Sequence, residues 1–309
     1  MSCIISAVVC THNRADYLNK AIPSLLRQQM SWDRYEIIIV DNASTDLTKQ
    51  VVTKFSQAAH LRYIYEPRLG LSFARNTAWQ NARGKFVAYL DDDAIAYPDW
   101  LDKTIEAFET MPHSGCVGGK IEPLWEATRP NWLSNELVAG LAIVDWSNTP
   151  HYLQDLNTEW LVGANLAFPV EVLKKIGGFV EGLDRTGNNL LSSGDTFIEK
   201  QIAQAGYGCL YYPAMRVQHH IQKSRLDQHW FLRRYYWQGI SDAFMQIIGE
   251  HLNARARWRL AIEKAARLFS SPTKIKQLAT ATDDPIRFTA RCFTLIELGN
   301  VQGLLTIRV

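Results

Sequence analysis

Three consecutive acidic residues, Asp91–Asp93, directly follow the apolar run Phe86–Leu90. Such a run is typical of a buried strand in the parallel sheet of an α/β protein. Three like charges at one strand end repel one another, so a bound cation would stabilise them. A solvated acidic turn is the alternative for any such triplet. Because open α/β sheets bind ligands at the carboxyl ends of their strands, the position favours a site for Mg²⁺ or Mn²⁺.

The first half of the chain alternates β-rich runs with amphipathic helical segments. Strands are predicted at Ile4–Cys10, Tyr35–Val40, Leu61–Tyr65 and Phe86–Leu90. This alternation predicts an α/β fold with a mostly parallel sheet flanked by helices. In the second half, we expect the segment Met215–His219 to be the last strand of that same sheet.

The hydrophobic period becomes helical from Leu226 onwards. We therefore expect an α/β domain over residues 1–225, followed by a helical C-terminal extension over residues 226–309.

The charge is distributed unevenly, although the net charge is only +2. Residues 223–309 carry 14 Lys and Arg against 7 Asp and Glu, whereas residues 1–222 carry a net charge of −5. A basic C-terminal third can attract an anionic membrane surface, giving a peripheral contact. A solvated basic helical region explains the same composition equally well.

Sequence signals for secretion or membrane insertion are not found. No apolar run approaches the ~18 residues that a membrane-spanning helix requires. The run Cys3–Cys10 is too short for the apolar core of a signal peptide. The five cysteines are scattered without a CxxC spacing, which argues against a disulfide framework and a structural zinc site. We expect a cytoplasmic protein, with the inner face of the membrane as the place of any peripheral contact.

Polar residues also follow the first two predicted strands. Thr11–Arg14 comes after the first strand, and Asp41–Asp46 comes after the second. Neighbouring parallel strands would bring both segments to one edge of the sheet, where a nucleotide can bind. Helix capping is the alternative explanation for Ser44 and Asp46, but it accounts less readily for Asp41.

Arg75 lies on the third predicted helix, behind a loop that contains Gly70. An arginine at this place can pair with a diphosphate, although an exposed surface arginine is the common alternative. The chain contains neither GxxxxGK[ST] nor GxGxxG. The sequence therefore does not support a P-loop NTPase or a dinucleotide-binding protein.

Taken together, these segments resemble the inverting glycosyltransferases of family 2, which have the GT-A fold, an α/β architecture with a mixed sheet flanked by helices. The resemblance rests on Ala7–Arg14, Ile39–Asp46, Gly70–Asn76 and Tyr89–Asp93 in this order, and it covers about residues 1–240. It implies an enzyme that transfers a sugar from a nucleotide diphosphate donor to an acceptor hydroxyl, with Mn²⁺ or Mg²⁺ as cofactor. It also implies that residues 1–112 form a nucleotide-binding half of the first domain and residues 113–225 an acceptor-binding half.

The resemblance also implies roles for individual residues. Thr11 and Asp41 would contact the nucleobase, Arg75 the base or the diphosphate, and Asp91 the ribose. Asp93 would hold the metal ion together with His219, which lies on the last predicted strand. The remaining residues expected at the nucleotide-sugar site are Asn13, Arg14, Asn42, Ser44, Gly70 and Asp92.

Asp195 matches the family's catalytic base at the start of a helix beneath the acceptor. The family usually has an acidic neighbour there, whereas this chain has Gly194. A helix N-cap is the alternative role for Asp195. The departure at Gly194 leaves a non-catalytic scaffold protein as an alternative function. A sugar-phosphate nucleotidyltransferase is the other alternative.

The acceptor is expected to be a glycan or a lipid-linked saccharide, and no nucleic acid partner is expected. Trp125, Trp132 and Trp160 are candidates for the acceptor side, with ordinary core packing as the alternative. The Gln-x-x-Arg-Trp signature of processive polysaccharide synthases is absent, since Ala254 stands where the glutamine would be. We therefore expect a UDP-sugar transferase that makes single additions in polysaccharide biosynthesis.

Overall fold

The computed structural model describes residues 3–156, 158–187 and 189–307. The strands are β1 (Ile5–Thr11), β2 (Tyr35–Asn42), β3 (Leu61–Glu66), β4 (Phe86–Leu90), β5 (Ala94–Ala96), β6 (Ser114–Gly118), β7 (Ile121–Trp125), β8 (His151–Tyr152), β9 (Asn165–Pro169), β10 (Gly208–Tyr211) and β11 (Val217–Ile221). The α-helices are α1 (Ala15–Leu26), α2 (Thr48–Thr53), α3 (Leu71–Gln80), α4 (Trp100–Thr110), α5 (Val170–Ile176), α6 (Gly194–Gln204), α7 (Gln228–Gly249), α8 (Ala254–Phe269), α9 (Pro272–Ala279) and α10 (Pro285–Thr306).

The main sheet has eight strands in the order β3-β2-β1-β4-β9-β6-β10-β8. The strands β1, β2, β3 and β4 are parallel to their neighbours within this group, whereas β9 runs antiparallel to both β4 and β6. The sheet is therefore mixed, and the predicted α/β class with helices around a mixed sheet is confirmed.

The central strands are buried on both faces. Every residue of β2 and β4 is buried, which agrees with the apolar composition of β4 and with the apolar run Ile37–Val40 inside β2. Helix α1 turns Leu18, Ile22 and Leu25 towards the core, and all three side chains are fully buried. The 3.6-residue period in the sequence therefore identified the buried face of this helix.

A second, three-stranded sheet has the order β5-β11-β7. The prediction that Met215–His219 closes the main sheet was wrong, because β11 pairs antiparallel with β5 instead. Strand β5 is only three residues long and follows the acidic triplet directly. In this pairing His219 lies opposite Ala94, and the backbone N–H of His220 donates to the carbonyl of Asp93 at 2.8 Å.

The described chain divides into two compact units. The first comprises residues 1–124, 142–182 and 194–220, and the second comprises residues 125–141, 183–193 and 221–309. The predicted domain limits at 112 and 225 stay a prediction. Four terminal residues of the predicted domains lie outside the described residues: Met1, Ser2, Arg308 and Val309.

Helices α7 and α10 pack closely against each other in the second unit. A Cβ atom at Gly239 would lie 1.9 Å from the carbonyl oxygen of Ile296, so glycine permits this close approach of the two backbones. None of the described helices is both long enough and apolar enough to cross a membrane.

Candidate active site

The residues predicted to bind the nucleotide lie at the carboxyl ends of adjacent strands. The parallel register of β1 and β2 places Thr11 opposite Asp41. On its other side β1 pairs with β4, whose end leads into the acidic triplet. Thr11 also donates its hydroxyl to Asp92 Oδ2 at 2.7 Å. The sheet therefore brings the three polar segments together, as the order of elements predicted.

Asp93 lies between a cationic side chain and an imidazole. Its Oδ2 accepts a hydrogen bond from Arg14 Nη1 at 2.7 Å, and its Oδ1 lies 3.0 Å from His219 Nε2. Arg14 Nη1 is also 3.8 Å from Asp92 Oδ1. A single guanidinium thus faces two buried carboxylates.

Asp91, Asp93 and His219 form a cluster that could hold a metal ion. One ligand atom from each residue lies within 4.8 Å of the others. His219 is buried, and its Nδ1 has no hydrogen-bond partner among the described residues. Two carboxylates and one imidazole form a donor set that Mn²⁺ accepts readily and that Mg²⁺ can share with phosphate oxygens. The residues present therefore fit the expected cofactor.

Burial of the triplet disfavours the ionised forms of two of its carboxylates. Burial raises the pKa of Asp92 to about 7, even though Arg14 acts in the opposite direction. Burial also raises the pKa of Asp91, and the neighbouring charge of Asp93 adds to that rise. A bound divalent cation would favour the ionised form of each carboxylate.

Asp195 lies in the first turn of α6, as predicted, but it is paired with an unexpected residue. Its Oδ1 accepts a hydrogen bond from Arg75 Nη1 at 2.7 Å, and its Oδ2 accepts one from the backbone N–H of Gly163 at 2.8 Å. Arg75 is almost fully buried, and its own carbonyl accepts a hydrogen bond from the hydroxyl of Tyr89. The charges of Arg75 and Asp195 both act on Asp91, so the ion pair and the metal-ligand cluster belong to one site.

Gly163 makes this ion pair sterically feasible. A Cβ atom on Gly163 would lie 2.0 Å from Arg75 Nη2 and 3.0 Å from Asp195 Oδ1. Any other residue at this position would therefore push the two charged groups apart.

A family profile described as "Glycosyl transferase family 2" matches residues 6–176 of the chain. The chain belongs to glycosyltransferase family 2. The matched range contains the acidic triplet, Arg14 and Arg75, while Asp195 and His219 lie beyond it. The family suspected from the four sequence segments is thereby confirmed, and so is the prediction that the protein is a glycosyltransferase.

Curated relatives of this family 2 glycosyltransferase include two proteins of Haloferax volcanii. One is a glucosyl-dolichyl phosphate glucuronosyltransferase, 25% identical over 248 residues that make up 79% of this chain and 78% of the relative. The other is the glycosyltransferase AglE, 27% identical over 214 residues, or 67% of this chain and 64% of the relative.

Solved structures with a similar fold include two glycosyltransferases. The mannosyltransferase PcManGT from Pyrobaculum calidifontis, in complex with GDP-Man and Mn²⁺, has a TM-score of 0.61 and 22% identity, covering 98% of this chain and 88% of that one. S. aureus TarS 1–349, in complex with UDP-GlcNAc, has a TM-score of 0.57 and 18% identity, covering 93% and 79%. These similarities confirm the GT-A fold.

In this family 2 glycosyltransferase, each carboxylate oxygen of Asp41 accepts a hydrogen bond from the protein. Its Oδ1 accepts from the backbone N–H of Ser44 at 2.9 Å, and its Oδ2 accepts from the hydroxyl of Tyr63 at 2.6 Å. The predicted contact of Asp41 with a nucleobase stays a prediction. Tyr63 was missed, although the alternation in β3 places it on the same face as Tyr65.

The turns after β1 and β2 are joined by reciprocal hydrogen bonds. Asn13, whose φ of 53° is in the left-handed region, accepts through its Oδ1 from the backbone N–H of Thr45 at 2.7 Å. In return, Ser44 Oγ accepts from the backbone N–H of Asn13 at 3.0 Å, and Asp46 Oδ2 accepts from that of Ala15 at 3.1 Å. Asn13 and Ser44 therefore shape the rim of the site, and direct binding of the nucleotide by either residue stays a prediction.

Asn42 positions the loop that precedes α3. Its Oδ1 accepts from the backbone N–H of Gly70 at 2.8 Å, and its Nδ2 donates to the carbonyl of Arg68 at 2.7 Å. Because α3 carries Arg75, these contacts fix the helix that supplies the partner of Asp195. Contact of Asn42 or Gly70 with the donor stays a prediction.

The three tryptophans considered for the acceptor side are all half-buried. The Trp132 ring meets the rings of Phe231 and Phe288 edge-on, with centroids 5.2 and 4.9 Å away. The Trp160 ring meets the Trp146 ring edge-on, with centroids 5.0 Å apart, and the carbonyl of Trp160 accepts a hydrogen bond from Trp146 Nε1 at 2.9 Å. Packing therefore accounts for one surface of each of these two rings, and an acceptor role for them or for Trp125 stays a prediction.

Glu199 is a site neighbour that the sequence interpretation missed. It lies one helical turn after Asp195 on α6 and is completely buried. Its Oε1 accepts from the backbone N–H of Leu161 at 3.2 Å, close to the point where Gly163 donates to Asp195. Burial raises the pKa of Glu199 well above its ordinary value, and electrostatic repulsion from Cys209 and Asp195 adds to that rise. The i, i+4 spacing of the two acidic residues was the available signal.

Proposed function

We propose that this family 2 glycosyltransferase transfers a sugar from a UDP-sugar to a hydroxyl group of a glycan or lipid-linked acceptor. The transfer is a single addition with inversion at the anomeric carbon. One observation carries the proposal: the metal-ligand cluster of Asp91, Asp93 and His219 adjoins a carboxylate, Asp195, that is fixed by Arg75 and Gly163.

The donor site is assigned to the carboxyl ends of β1, β2 and β4. Thr11 and Asp41 would face the nucleobase, and Asp91, the third member of the metal-ligand cluster, would also approach the ribose. Mn²⁺ or Mg²⁺, held by Asp93 and His219, would neutralise the charge that develops on the departing diphosphate. Arg14 lies beside Asp93 and can add a second positive charge there.

The acceptor hydroxyl needs a base, because a neutral alcohol is a poor nucleophile. In the proposal, Asp195 accepts the hydroxyl proton as the oxygen attacks the anomeric carbon opposite the diphosphate. The hydrogen bonds from Arg75 and Gly163 fix the orientation of its carboxylate. Gly194 stands where the family usually has an acidic neighbour, and in the proposal Arg75 supplies the orienting contact from another helix.

The lipid-linked acceptor and a position at the cytoplasmic face of a membrane are supported indirectly. The relative from Haloferax volcanii that covers most of this chain is described as acting on glucosyl-dolichyl phosphate. The C-terminal helices are also rich in basic residues. We include peripheral membrane contact through these helices in the proposal.

Donor turnover is the decisive experiment. UDP-, GDP- and dTDP-sugars are incubated with the full chain and Mn²⁺, and release of the nucleoside diphosphate is measured. We expect the nucleoside diphosphate to be released fastest from the UDP-sugar. The rate of release should decrease by about 10²- to 10⁴-fold in Asp195→Asn. The exposed Asp283→Asn is the control and should match the wild type. No release from any donor would contradict the proposal and favour the scaffold alternative.

A further inference from the structure

Helix α8 is fixed to the second unit through one of its faces. Ala261 on this face is buried in a small apolar cluster with Ile247 and Leu304. Arg257 Nε donates to the carbonyl of Leu304 at 3.0 Å, and Lys264 Nζ donates to Asn300 Oδ1 at 2.7 Å. These contacts determine which face of α8 is turned outwards.

The outward face of α8 carries large apolar side chains. Trp258, Ile262 and Phe269 are 58%, 63% and 54% exposed, respectively. Their spacing of four and seven residues places all three on one side of the helix. Scattered single apolar residues are ordinary on a protein surface, but a continuous stripe of three indicates an interaction surface.

Basic residues border this stripe. Arg255 and Arg259 precede Trp258 and Ile262 by three residues each, so they lie along the same side of the helix. Both are exposed, and neither forms an ion pair with an acidic group in the described part of the chain. Residues 254–279 contain seven Lys and Arg against one acidic residue, Glu263.

We propose that this face, defined by Trp258, Ile262, Phe269, Arg255 and Arg259, docks on an anionic lipid bilayer. An apolar stripe beside arginines suits the boundary between acyl chains and negatively charged headgroups, with the helix lying in the membrane plane. A second copy of the chain fits less well, since a symmetric contact would bring the same arginines against each other. The assignment rests on the membrane contact included in the proposed function and names the surface that makes it, and it does not depend on the chemistry of sugar transfer.

Vesicle co-sedimentation of the full chain tests the surface. Vesicles of phosphatidylcholine alone are compared with vesicles that contain an equimolar share of phosphatidylglycerol. We expect binding to the anionic vesicles only, and weaker binding at high salt. The double variant Arg255→Glu/Arg259→Glu should lose at least about 25-fold in affinity, since each arginine near such a surface contributes about fivefold. Trp258→Ser/Ile262→Ser should lose at least about tenfold.

Matched controls separate this surface from general effects of charge and exposure. Lys49→Glu/Lys54→Glu makes the same charge change at exposed positions of α2 and its end, and Trp32→Ser removes a tryptophan that is 64% exposed. Both should bind vesicles like the wild type, and all variants should retain UDP-sugar turnover without vesicles.

The proposal is overturned if the α8 variants bind anionic vesicles as the wild type does, or if the wild type binds neutral vesicles equally well. It is also overturned if the apolar substitutions disperse a homodimer in sedimentation velocity while lipid binding persists.

Discussion

The guanidinium of Arg75 donates to the carboxylate of Asp195 across 2.7 Å, and the backbone N–H of Gly163 completes the contact. Arg75 was expected to meet the donor and Asp195 the acceptor, so the two halves of the proposed reaction share one ion pair. The pair is shielded from water on the arginine side, where only 5% of the side chain is exposed. Because Arg75 and Gly163 hold the carboxylate of Asp195, the proposed base, we expect the geometry of this pair to affect the chemical step more than donor binding.

Gly163→Ala tests the importance of this geometry. The added methyl would lie 2.0 Å from Arg75 Nη2, so the ion pair must open. We expect kcat to fall at least about tenfold with little change in the KM for the donor, because the base loses its orientation. Steady-state kinetics with varied donor measures both values. Gly249→Ala, at the exposed end of α7, should match the wild type; an unchanged kcat in Gly163→Ala would contradict the assigned role.

Arg14 competes with a cation for Asp93. Its Nη1 is 2.7 Å from Asp93 Oδ2, and like charges at such distances repel strongly in a buried site. Arg14→Gln should therefore bind Mn²⁺ more tightly in the absence of nucleotide, by about tenfold or more, yet turn over the donor more slowly. Mn²⁺ titration followed by electron paramagnetic resonance measures the affinity. Arg27→Gln, at an exposed position after α1, is the control, and weaker Mn²⁺ binding by Arg14→Gln would refute the competition.

Glu199 makes stability depend on pH. Its pKa in the folded protein is raised well above the ordinary 4.5. Between these two values the folded state holds a proton that the unfolded state has lost, so the stabilising contribution of protonated Glu199 decreases as pH rises. Glu199→Gln cannot lose a proton at this position. As pH rises, the free energy of unfolding of this variant should therefore increase relative to that of the wild type, by up to about 1.4 kcal/mol per pH unit.

Urea denaturation at mildly acidic, neutral and mildly alkaline pH measures this difference. Glu109→Gln, which alters an exposed carboxylate near the end of α4, should follow the wild type at every pH. A constant difference between Glu199→Gln and the wild type would show that Glu199 is ionised in the folded protein.

The sequence predicted the elements that carry the donor site, because periodicity and strand-end polarity are local signals. Strands β1, β2, β3 and β4 lie within one or two residues of their predicted positions. Asp195 was found at the start of its helix for the same reason. The acidic triplet at the end of its strand was a local signal for a cation site, whereas a metal role for His219 together with Asp93 was expected only through the family resemblance. Asp91 was expected at the ribose, and the structure places it in the same cluster.

Two contacts between residues far apart in the chain could not be predicted from local patterns in the sequence. Strand β11 was assigned to the wrong sheet, because its partner β5 has only three residues and gives no periodic signal. The pairing of Arg75 with Asp195 joins residues 120 positions apart and depends on the missing Cβ of Gly163. No spacing rule in one sequence reports such a steric condition.

Calorimetric titration of UDP into the full chain, with Mn²⁺ and after chelation, shows whether a bound cation takes part in donor binding. We expect chelation to weaken UDP binding by about tenfold or more in the wild type. Asp93→Asn should bind UDP weakly under both conditions, whereas Asp283→Asn should behave as the wild type does. Equal UDP affinity of the wild type with and without metal would contradict a cation site at Asp91, Asp93 and His219.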